Sequence, residues 1–275
     1  MAKTTKRKKK QTYGCDNCYE KGYILEKQGR YSTAKVCQCL NCEECSGSGK
    51  QLYYKDNGYS YIQPCDLCGI LHKNIKLYNL AGIPSKYYNV NEVSTFHPRH
   101  DTHQNALIYV KQFVDQYPYK PGFLLMGASG LGKTHLAICA ISELTLERGI
   151  KCLFTDFFDL LNDLKSAYSE GRPENQVIFP LVEIEVLVID ELGKGRANEW
   201  ELSVLDQLIS KRYNSSKSTI ITTNFVTKEV NAKLNRDNKE ILEYRIGERI
   251  TSRLFEMCSF IYLEGRDFRR MSAAN

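Results

Sequence analysis

Short apolar runs and longer amphipathic segments follow one another from Phe123 onward. Phe123–Met126 and Val186–Ile189 are apolar at every position, which is typical of strands buried on both faces of a sheet. Two further runs with strand character are STIITTNF and, near the end, SFIYLEG. An apolar stripe at helical spacing consists of Phe157, Leu160, Leu161, Leu164 and Tyr168. This alternation predicts an α/β fold, a three-layer sandwich in which helices cover a central parallel sheet.

Composition is that of an ordinary globular protein, with 42% hydrophobic and 25% charged residues. No apolar run approaches the roughly 20 residues of a membrane helix, so we expect no membrane partner. The basic start, MAKTTKRKKK, is not followed by the apolar segment that secretory signals contain. The sequence therefore predicts a cytoplasmic protein whose thiols are kept reduced.

The net charge of +6 belongs to the first ten residues, which hold six of the 38 basic residues and no acidic one. The rest of the chain carries 32 basic and 32 acidic side chains. Residues 1–12 are therefore predicted to form a basic flexible tail. Such a tail either keeps the chain in solution or is loosely attracted to nucleic-acid phosphates, and both interpretations stay open.

Eight of the eleven cysteines form two copies of one pattern near the start of the chain. In each copy a cysteine pair is followed by a glycine, then by a tyrosine, then by a second cysteine pair. The first copy contains Cys15, Cys18, Gly22, Tyr31, Cys37 and Cys39. The second copy contains Cys42, Cys45, Gly49, Tyr59, Cys65 and Cys68. Cysteine pairs separated by about 15–20 residues are typical of zinc sites.

Four thiolates surround one tetrahedral zinc ion, so the copies at residues 15–39 and 42–68 predict two zinc ions. Residues 13–75 can bury little apolar surface, and the metal is expected to hold this zinc-binding module together. Because a site closed by four protein ligands leaves no position for a reacting water, we interpret the module as a docking element and not as a second active site.

The pairing of the cysteines has two interpretations. One zinc ion per repeat is preferred. The run CEECSGSG, however, also resembles the repeated units of DnaJ chaperones, in which the first and last units share a metal. That resemblance implies a site formed by the inner four cysteines, Cys37, Cys39, Cys42 and Cys45. Both pairings stay open.

The loop after the first apolar run reads GASGLGKTH and fits the phosphate-binding pattern G-x-x-x-x-G-K-[ST] between a strand and a helix. Backbone N–H groups of such a loop bind phosphate oxygens. Lys133 is expected to contact the β- and γ-phosphates, and Thr134 to bind Mg²⁺. The sequence thus predicts an ATP site formed by Gly127, Ala128, Ser129, Gly130, Leu131, Gly132, Lys133, Thr134 and His135.

Polar side chains end the two later strands. Asp190 and Glu191 follow one of them, and Asn224 follows the other. Because ligands bind at the carboxyl ends of parallel strands, we expect these residues beside the phosphate loop. Asp190 is expected to hold Mg²⁺ through water, Glu191 to act as the general base, and Asn224 to orient the attacking water. The adjacent pair of carboxylates favours hydrolysis over phosphoryl transfer to a second substrate.

Arg245, Arg249 and Arg253 recur at i, i+4 and i+8, which predicts that they line one face of a helix. Like charges at this spacing destabilise a helix by roughly 0.2–0.5 kcal/mol per pair, so the row is explained best by an anion that meets it. An arginine finger inserted into a neighbour's ATP site meets such an anion. A solvated face, partly neutralised by Glu248, is the alternative interpretation.

These elements, in this order, resemble those of the AAA+ ATPases and, more narrowly, of bacterial replicative-helicase loaders of the DnaC/DnaI type. The resemblance runs from about Leu77 to the end and includes LAGIPSKYYN and GERITSRL. It implies an AAA+ ATPase domain at residues 76–275 and an oligomer in which Arg253 is the arginine finger in trans and Arg249 its companion. The stretch after Asn224 is too short for a full lid domain, a truncation that IstB-type transposition helpers share.

Single-stranded DNA is a further ligand that the resemblance implies. Tyr168 falls where the loaders carry an aromatic residue for the DNA strand, and Asn198 and Trp200 fall at the matching positions after the Asp190–Glu191 pair. Lys194 and Arg196 precede them, and aromatic side chains beside cations suit strand binding, at roughly 1–3 kcal/mol per stacked base. The alternative is a helix-capping Asn198 with a Trp200 that packs in the core.

The resemblance implies an ATP-dependent loader of the replicative DNA helicase. The first cysteine repeat resembles the zinc ribbon that precedes the ATPase domain in some loaders, so residues 13–75 are expected to dock on the hexameric helicase. The second repeat is an addition to that pattern. Two alternatives stay open: an IstB-type transposition helper that acts on duplex DNA, and an ATP-gated adaptor whose hydrolysis DNA does not stimulate.

Overall fold

The computed structural model describes residues 15–90, 92–195, 197–234 and 240–269. The basic tail expected at residues 1–12 and Arg196 lie outside these residues. Contacts divide the chain into two compact units. The first runs to Asn89 and includes Thr145–Gly149, and the second comprises Val90–Leu144 and the chain from Ile150. The helix at Gly69–Leu80 belongs to the first unit.

Two β-hairpins, one in each cysteine repeat, form the sheets of the first unit. Strands β1 (Tyr23–Gln28) and β2 (Tyr31–Val36) pair antiparallel, and β3 (Lys50–Tyr54) and β4 (Ser60–Pro64) do the same. The helix α1 (Gly69–Leu80) follows the second hairpin. The connections are short and the strands few, which agrees with a unit that depends on metal rather than on a large apolar core.

Helix α1 covers one face of the first hairpin. The Tyr78 hydroxyl lies 2.8 Å from the hydroxyl of Ser32, and both side chains are buried. The Asn79 side chain accepts a hydrogen bond from the Ala34 N–H at 2.6 Å and donates one to the Ala34 carbonyl at 3.0 Å. These contacts explain why the helix folds with the cysteine repeats.

Parallel strands form the central sheet of the second unit, five of them in the described chain. They are β5 (Gly122–Met126), β6 (Cys152–Asp156), β7 (Val186–Asp190), β8 (Ser218–Thr223) and β9 (Cys258–Tyr262). Their order is β6-β7-β8-β5-β9, and each neighbouring pair is parallel. Every residue of β5 and β7 is buried, as the wholly apolar runs predict. The predicted α/β fold with a central parallel sheet is confirmed.

Helices connect these strands and pack on the sheet. They are α2 (Asp101–Gln116), α3 (Lys133–Leu146), α4 (Phe157–Ser169), α5 (Asn175–Glu183), α6 (Glu199–Asn214), α7 (Lys228–Leu234), α8 (Leu242–Ile246) and α9 (Glu248–Met257). After β8 the described chain forms α7, α8 and α9 and then returns to the sheet as β9. Within the described residues no helix has the length and apolarity needed to cross a membrane.

The Arg212 guanidinium is fully buried where β7 and β8 begin. It donates to the carbonyl oxygens of Leu181, Ile184 and Ser218, at 2.6, 3.0 and 2.5 Å, and to the Thr219 hydroxyl at 3.0 Å. Burial lowers the pKa of Arg212 to about 10. The arginine thus links the end of α5 to the start of β8, at the side of the sheet opposite the carboxyl ends of the strands.

Candidate functional site

The strand order brings the predicted nucleotide-binding residues together. Because β8 lies between β5 and β7, the carboxyl ends of these three strands are neighbours. β5 leads into the phosphate loop Gly127–Gly132, β7 ends at Asp190, and β8 is followed by Asn224. The candidate site is therefore built at one edge of the sheet by segments far apart in the sequence.

Lys133, the first residue of α3, directs its ammonium group back into the phosphate loop. Its Nζ donates to the carbonyl oxygens of Gly127 and Ala128 at 2.8 and 2.7 Å, and to Asn224 Oδ1 at 2.9 Å. The lysine is thereby joined to both the loop and the end of β8, as expected for residues that act on one phosphate group.

Burial lowers the pKa of Lys133 to about 8, against the opposing effect of the Asp190 and Glu191 carboxylates. Lys133 as a whole residue is 7% exposed, so water does little to solvate its charge. An anion bound in the phosphate loop would compensate the positive charge of Lys133. The electrostatics of the site therefore favour a phosphate group beside Lys133.

Asp190 forms the polar end of β7 together with two threonines. Its Oδ1 accepts hydrogen bonds from the Thr134 hydroxyl at 2.8 Å and the Thr222 hydroxyl at 2.5 Å. Burial raises the pKa of Asp190, while these hydroxyl groups oppose the rise. Hydroxyl and carboxylate oxygens are ligands that Mg²⁺ accepts, so Thr134 and Asp190 could hold this ion as predicted. Thr222 lies in the run STIITTNF, but its sequence position predicts no role in the site, because only the pairing of β7 with β8 brings it to Asp190.

Glu191 follows β7 in a left-handed conformation with φ of 55°. Its backbone N–H donates to the Thr222 hydroxyl at 3.1 Å, and its carboxylate forms an ion pair with Lys194. The hydrogen bond to Glu191 raises the pKa of Lys194. Lys194, predicted as a DNA contact, thus binds the predicted general base in this structure.

The segment that follows β9 returns to the phosphate loop. The Phe268 backbone N–H donates to the Gly130 carbonyl at 3.0 Å, and a Cβ atom on Gly130 would lie 1.9 Å from the Asp267 carboxylate. The Phe268 ring packs edge-on against Phe96, with centroids 6.0 Å apart. Sequence motifs do not reveal Asp267 and Phe268. Their position follows from the pairing of β9 with β5, because the chain after β9 leaves the sheet beside the phosphate loop.

The prediction that three arginines line one helix face is wrong for Arg245. Gly247, with φ of 87°, ends α8 and precedes α9, so Arg245 lies on a different helix from Arg249 and Arg253. The Arg245 guanidinium donates to the carbonyl of Gly193 at 2.7 Å and also contacts that of Gly195. Arg245 therefore fixes the loop after β7 and is not part of an exposed cationic row.

Arg249 and Arg253 both approach Asp206 of α6. Arg253 Nη1 donates to Asp206 Oδ1 at 2.7 Å, and Arg249 Nε lies 3.6 Å from the same oxygen. The Arg253 side chain is 23% exposed and that of Arg249 73%. One carboxylate thus holds the pair that was predicted as finger and companion.

Two of the predicted DNA contacts lie side by side. The rings of Tyr168 and Trp200 meet edge-on with centroids 6.2 Å apart, and Lys165 Nζ lies 5.3 Å from the Trp200 ring. Trp200 also packs against the core of the second unit. Asn198 caps α6, where its side chain accepts a hydrogen bond from the Glu201 N–H at 2.9 Å. The structure therefore gives Asn198 and Trp200 structural contacts besides any contact with DNA.

The eight cysteines of the repeats form two clusters, each within one repeat. One contains Cys15, Cys18, Cys37 and Cys39, and the other Cys42, Cys45, Cys65 and Cys68. In each cluster the sulfur atoms lie within 4.8 Å of one another, and all eight thiols are free. A tetrahedral zinc with Zn–S bonds of about 2.3 Å separates its sulfurs by about 3.8 Å. The two donor sets therefore fit zinc, and the inner four cysteines do not form a common cluster.

Equivalent backbone contacts close the two repeats. The Cys37 N–H donates to the Gly22 carbonyl at 2.9 Å, and the Cys65 N–H to the Gly49 carbonyl at 2.8 Å. In the first cluster, backbone hydrogen bonds from Cys18 and Asn17 lower the pKa of the Cys15 thiol to about 7. In the same cluster burial raises the pKa of the Cys39 thiol. Because thiolate is the form that binds metal, an ion bound by all four sulfur atoms would have to displace the Cys39 proton.

The parallel sheet, the phosphate loop after β5 and the carboxylates at the end of β7, with one strand between β5 and β7, define a P-loop ATP-binding protein of the AAA+ class. Residues 78–273 match the family described as IstB-like ATP binding protein, and the chain belongs to this family. The replicative helicase loader DnaC of Escherichia coli (strain K12) is 26% identical over 181 residues, which cover 65% of this chain and 68% of that protein.

Solved structures agree. A crystal structure of the DnaC helicase loader has a TM-score of 0.57 and 31% identity and covers 65% of this chain and 99% of its own. The structure of DnaI shares the fold at 21% identity, with a TM-score of 0.53 over 63% of this chain and 90% of its own. The resemblance to DnaC/DnaI-type loaders is confirmed.

Proposed function

We propose that this protein is a cytoplasmic ATPase that loads the replicative DNA helicase. The observation that carries the proposal is the convergence of Lys133, Asp190 and Asn224 at one edge of the sheet, in a chain similar to a helicase loader. A nucleotide site of this construction supports the assembly and release steps that loading requires.

ATP binding is assigned to the loop from Gly127 to His135, and Mg²⁺ to Thr134 and Asp190. When bound, this ion neutralises charge on the phosphate oxygens. Glu191 accepts a proton from the attacking water, and its ion pair with Lys194 must open before the carboxylate can do so. Asn224 orients the same water from the end of β8.

A second subunit completes the site. Arg253 is proposed to reach the phosphates bound by a neighbouring copy, with Arg249 as its companion. Their shared contact with Asp206 supports this role, because a guanidinium fixed by a carboxylate is oriented before it meets an anion. An isolated monomer should therefore hydrolyse ATP slowly.

The first unit is proposed to bind two zinc ions and to dock on the hexameric helicase through residues 13–75. Each cysteine cluster supplies four thiols, so a zinc ion bound there would have no open position for a substrate. A role in structure and docking is the one that such sites support.

Single-stranded DNA is proposed to stack on the pair formed by Tyr168 and Trp200, close to Lys165. Tyr168 is 48% exposed, so its ring is available to a base. Lys194 and Asn198 would line the same path, and Arg196 lies outside the described residues.

A transposition helper of the IstB type is the second candidate. The family match favours it, since the family is described by that name. Such a helper acts on duplex DNA, so DNA preference separates the two candidates.

Native mass spectrometry of the full chain with the replicative helicase of its source, in the presence of ATP, tests the proposal. We expect the wild-type protein to form a complex with the helicase when ATP is present. The Lys133→Ala variant should not form this ATP-dependent complex. ATPase assays with single-stranded and duplex DNA run in parallel. Absence of a helicase complex, with stimulation by duplex DNA, would favour the transposition helper, and absence of any stimulation by DNA would favour an adaptor.

A further inference from the structure

The second cysteine repeat has an exposed hairpin face that neither the ATP site nor the cysteine clusters use. In the pairing of β3 with β4, Leu52 lies opposite Ile62 and Lys50 opposite Pro64. Alternate residues share a face, so these four and Tyr54 form one surface, here named the second-hairpin face. Tyr54, Leu52 and Ile62 are 75, 52 and 67% exposed.

The corresponding face of the first hairpin is covered by a helix. By their positions in the repeat, Leu25 and Ala34 are the counterparts of Leu52 and Ile62, and they too lie opposite each other. Ala34 and Ser32 share this face and are both buried, and the Ser32 hydroxyl lies 2.8 Å from the hydroxyl of Tyr78 of α1. The fold thus shows that this hairpin surface accepts a helix, while in the described chain the second copy of the surface stays open.

A concave site of about 450 Å³ adjoins the second-hairpin face. Lys50, Ile62 and Pro64 line it from the hairpin, and Lys73 and Lys76 line it from α1. None of the ten lining residues is acidic. Apolar side chains bordered by lysines on one side are complementary to a segment that is apolar on one face and acidic beside it.

We propose that the second-hairpin face docks an acidic amphipathic helix of a protein partner. Leu52 and Ile62 contact the apolar stripe of that helix, and Lys50, Lys73 and Lys76 meet its carboxylates. The inference rests on the proposed function, which makes the replicative helicase the partner.

Nucleic acid is less complementary to this surface. The centre of the face is aliphatic, formed by Leu52 and Ile62, and of the five residues that form the face only Tyr54 offers a base a ring to stack on. The stacked pair Tyr53 and Tyr61 lies on the opposite face, where the Tyr53 hydroxyl donates to Asp66 at 3.3 Å. An acidic side chain beside the rings disfavours a phosphate backbone.

The test measures the affinity of full-length variants for the helicase at low and high salt. Leu52→Ser with Ile62→Ser removes the apolar contact, and Lys73→Glu with Lys76→Glu reverses the charge. Lys27→Glu with Lys86→Glu is the control, since both lysines are exposed in the first unit and the change in net charge is the same. Zinc content and ATP affinity, measured on every variant, show whether the fold is kept.

We expect each second-hairpin variant to weaken helicase binding by about tenfold or more, with the control close to wild type. For the lysine variant the loss should be largest at low salt, because screening reduces the contribution of exposed charges.

Equal helicase affinity of wild type and both second-hairpin variants would overturn the inference and leave the proposed function in place. Loss of single-strand DNA affinity with unchanged helicase affinity would overturn it in favour of a nucleic-acid surface. Failure of wild-type protein to bind the helicase would overturn the proposed function and this inference together.

Discussion

Lys133 should make the stability of the nucleotide-free protein depend on pH. Burial lowers the pKa of Lys133 to about 8 from an ordinary value of 10.5. Between these values the unfolded chain binds a proton that the folded chain has lost, so the free energy of unfolding rises with pH. Below pH 8 both states are protonated, and the full cost of the buried charge is present.

The size of the effect follows from the two pKa values. From about pH 7 to about pH 9.5, Lys133 should add about 2 kcal/mol to the free energy of unfolding. Other groups titrate over the same interval, so the quantity to measure is the difference between wild type and Lys133→Met. Lys151→Met, at an exposed lysine, provides the matched control.

Urea denaturation at a series of pH values, without nucleotide, measures this difference. We expect the wild-type free energy of unfolding to rise relative to Lys133→Met, and Lys151→Met to follow wild type. With ATP and Mg²⁺ the rise should shrink, because phosphate stabilises the ammonium group. Parallel pH profiles for wild type and Lys133→Met would refute the reasoning, since they would mean that Lys133 keeps an ordinary pKa in the folded protein.

Three further predictions concern other parts of the molecule. Asp206→Asn should lower DNA-stimulated ATPase activity several-fold when it is present in the subunit that supplies Arg253. Mixing this variant with Lys133→Ala subunits identifies which subunit supplies the arginine. Arg212→Ala should lower the free energy of unfolding by about 4 kcal/mol, because a cavity and unpaired carbonyl groups remain; urea denaturation measures it. A zinc chelator should expose amides of residues 15–68 to hydrogen exchange while ATP affinity in the second unit is retained; unchanged exchange would contradict a structural metal.

Local sequence signals were sufficient for much of the ATP site. The phosphate loop, Asp190 and Asn224 each stand at the end of an apolar run, and parallel strands bring such ends together. The cysteine repeats likewise predict their own clusters, because the ligands of each copy are close in sequence. The fold class follows from the same runs, whose burial leaves few alternatives to a covered parallel sheet.

Other features required the tertiary structure. Thr222 contacts Asp190 only because β8 pairs with β7, and Asp267 reaches Gly130 only because β9 lies beside β5. Gly247 breaks the helix that the spacing of the arginines predicts, since its positive φ separates α8 from α9. These are effects of strand order and of one backbone angle, which residue spacing alone does not encode.

The equivalent backbone hydrogen bonds of the two cysteine repeats suggest that one repeat arose by duplication of the other. Each copy carries its own thiols and its own hydrogen bond from a cysteine N–H to a glycine carbonyl. A tandem duplication of such a unit can fold at once, without compensating changes elsewhere. Duplication of such a unit can therefore add a new binding surface without any change in the ATPase domain.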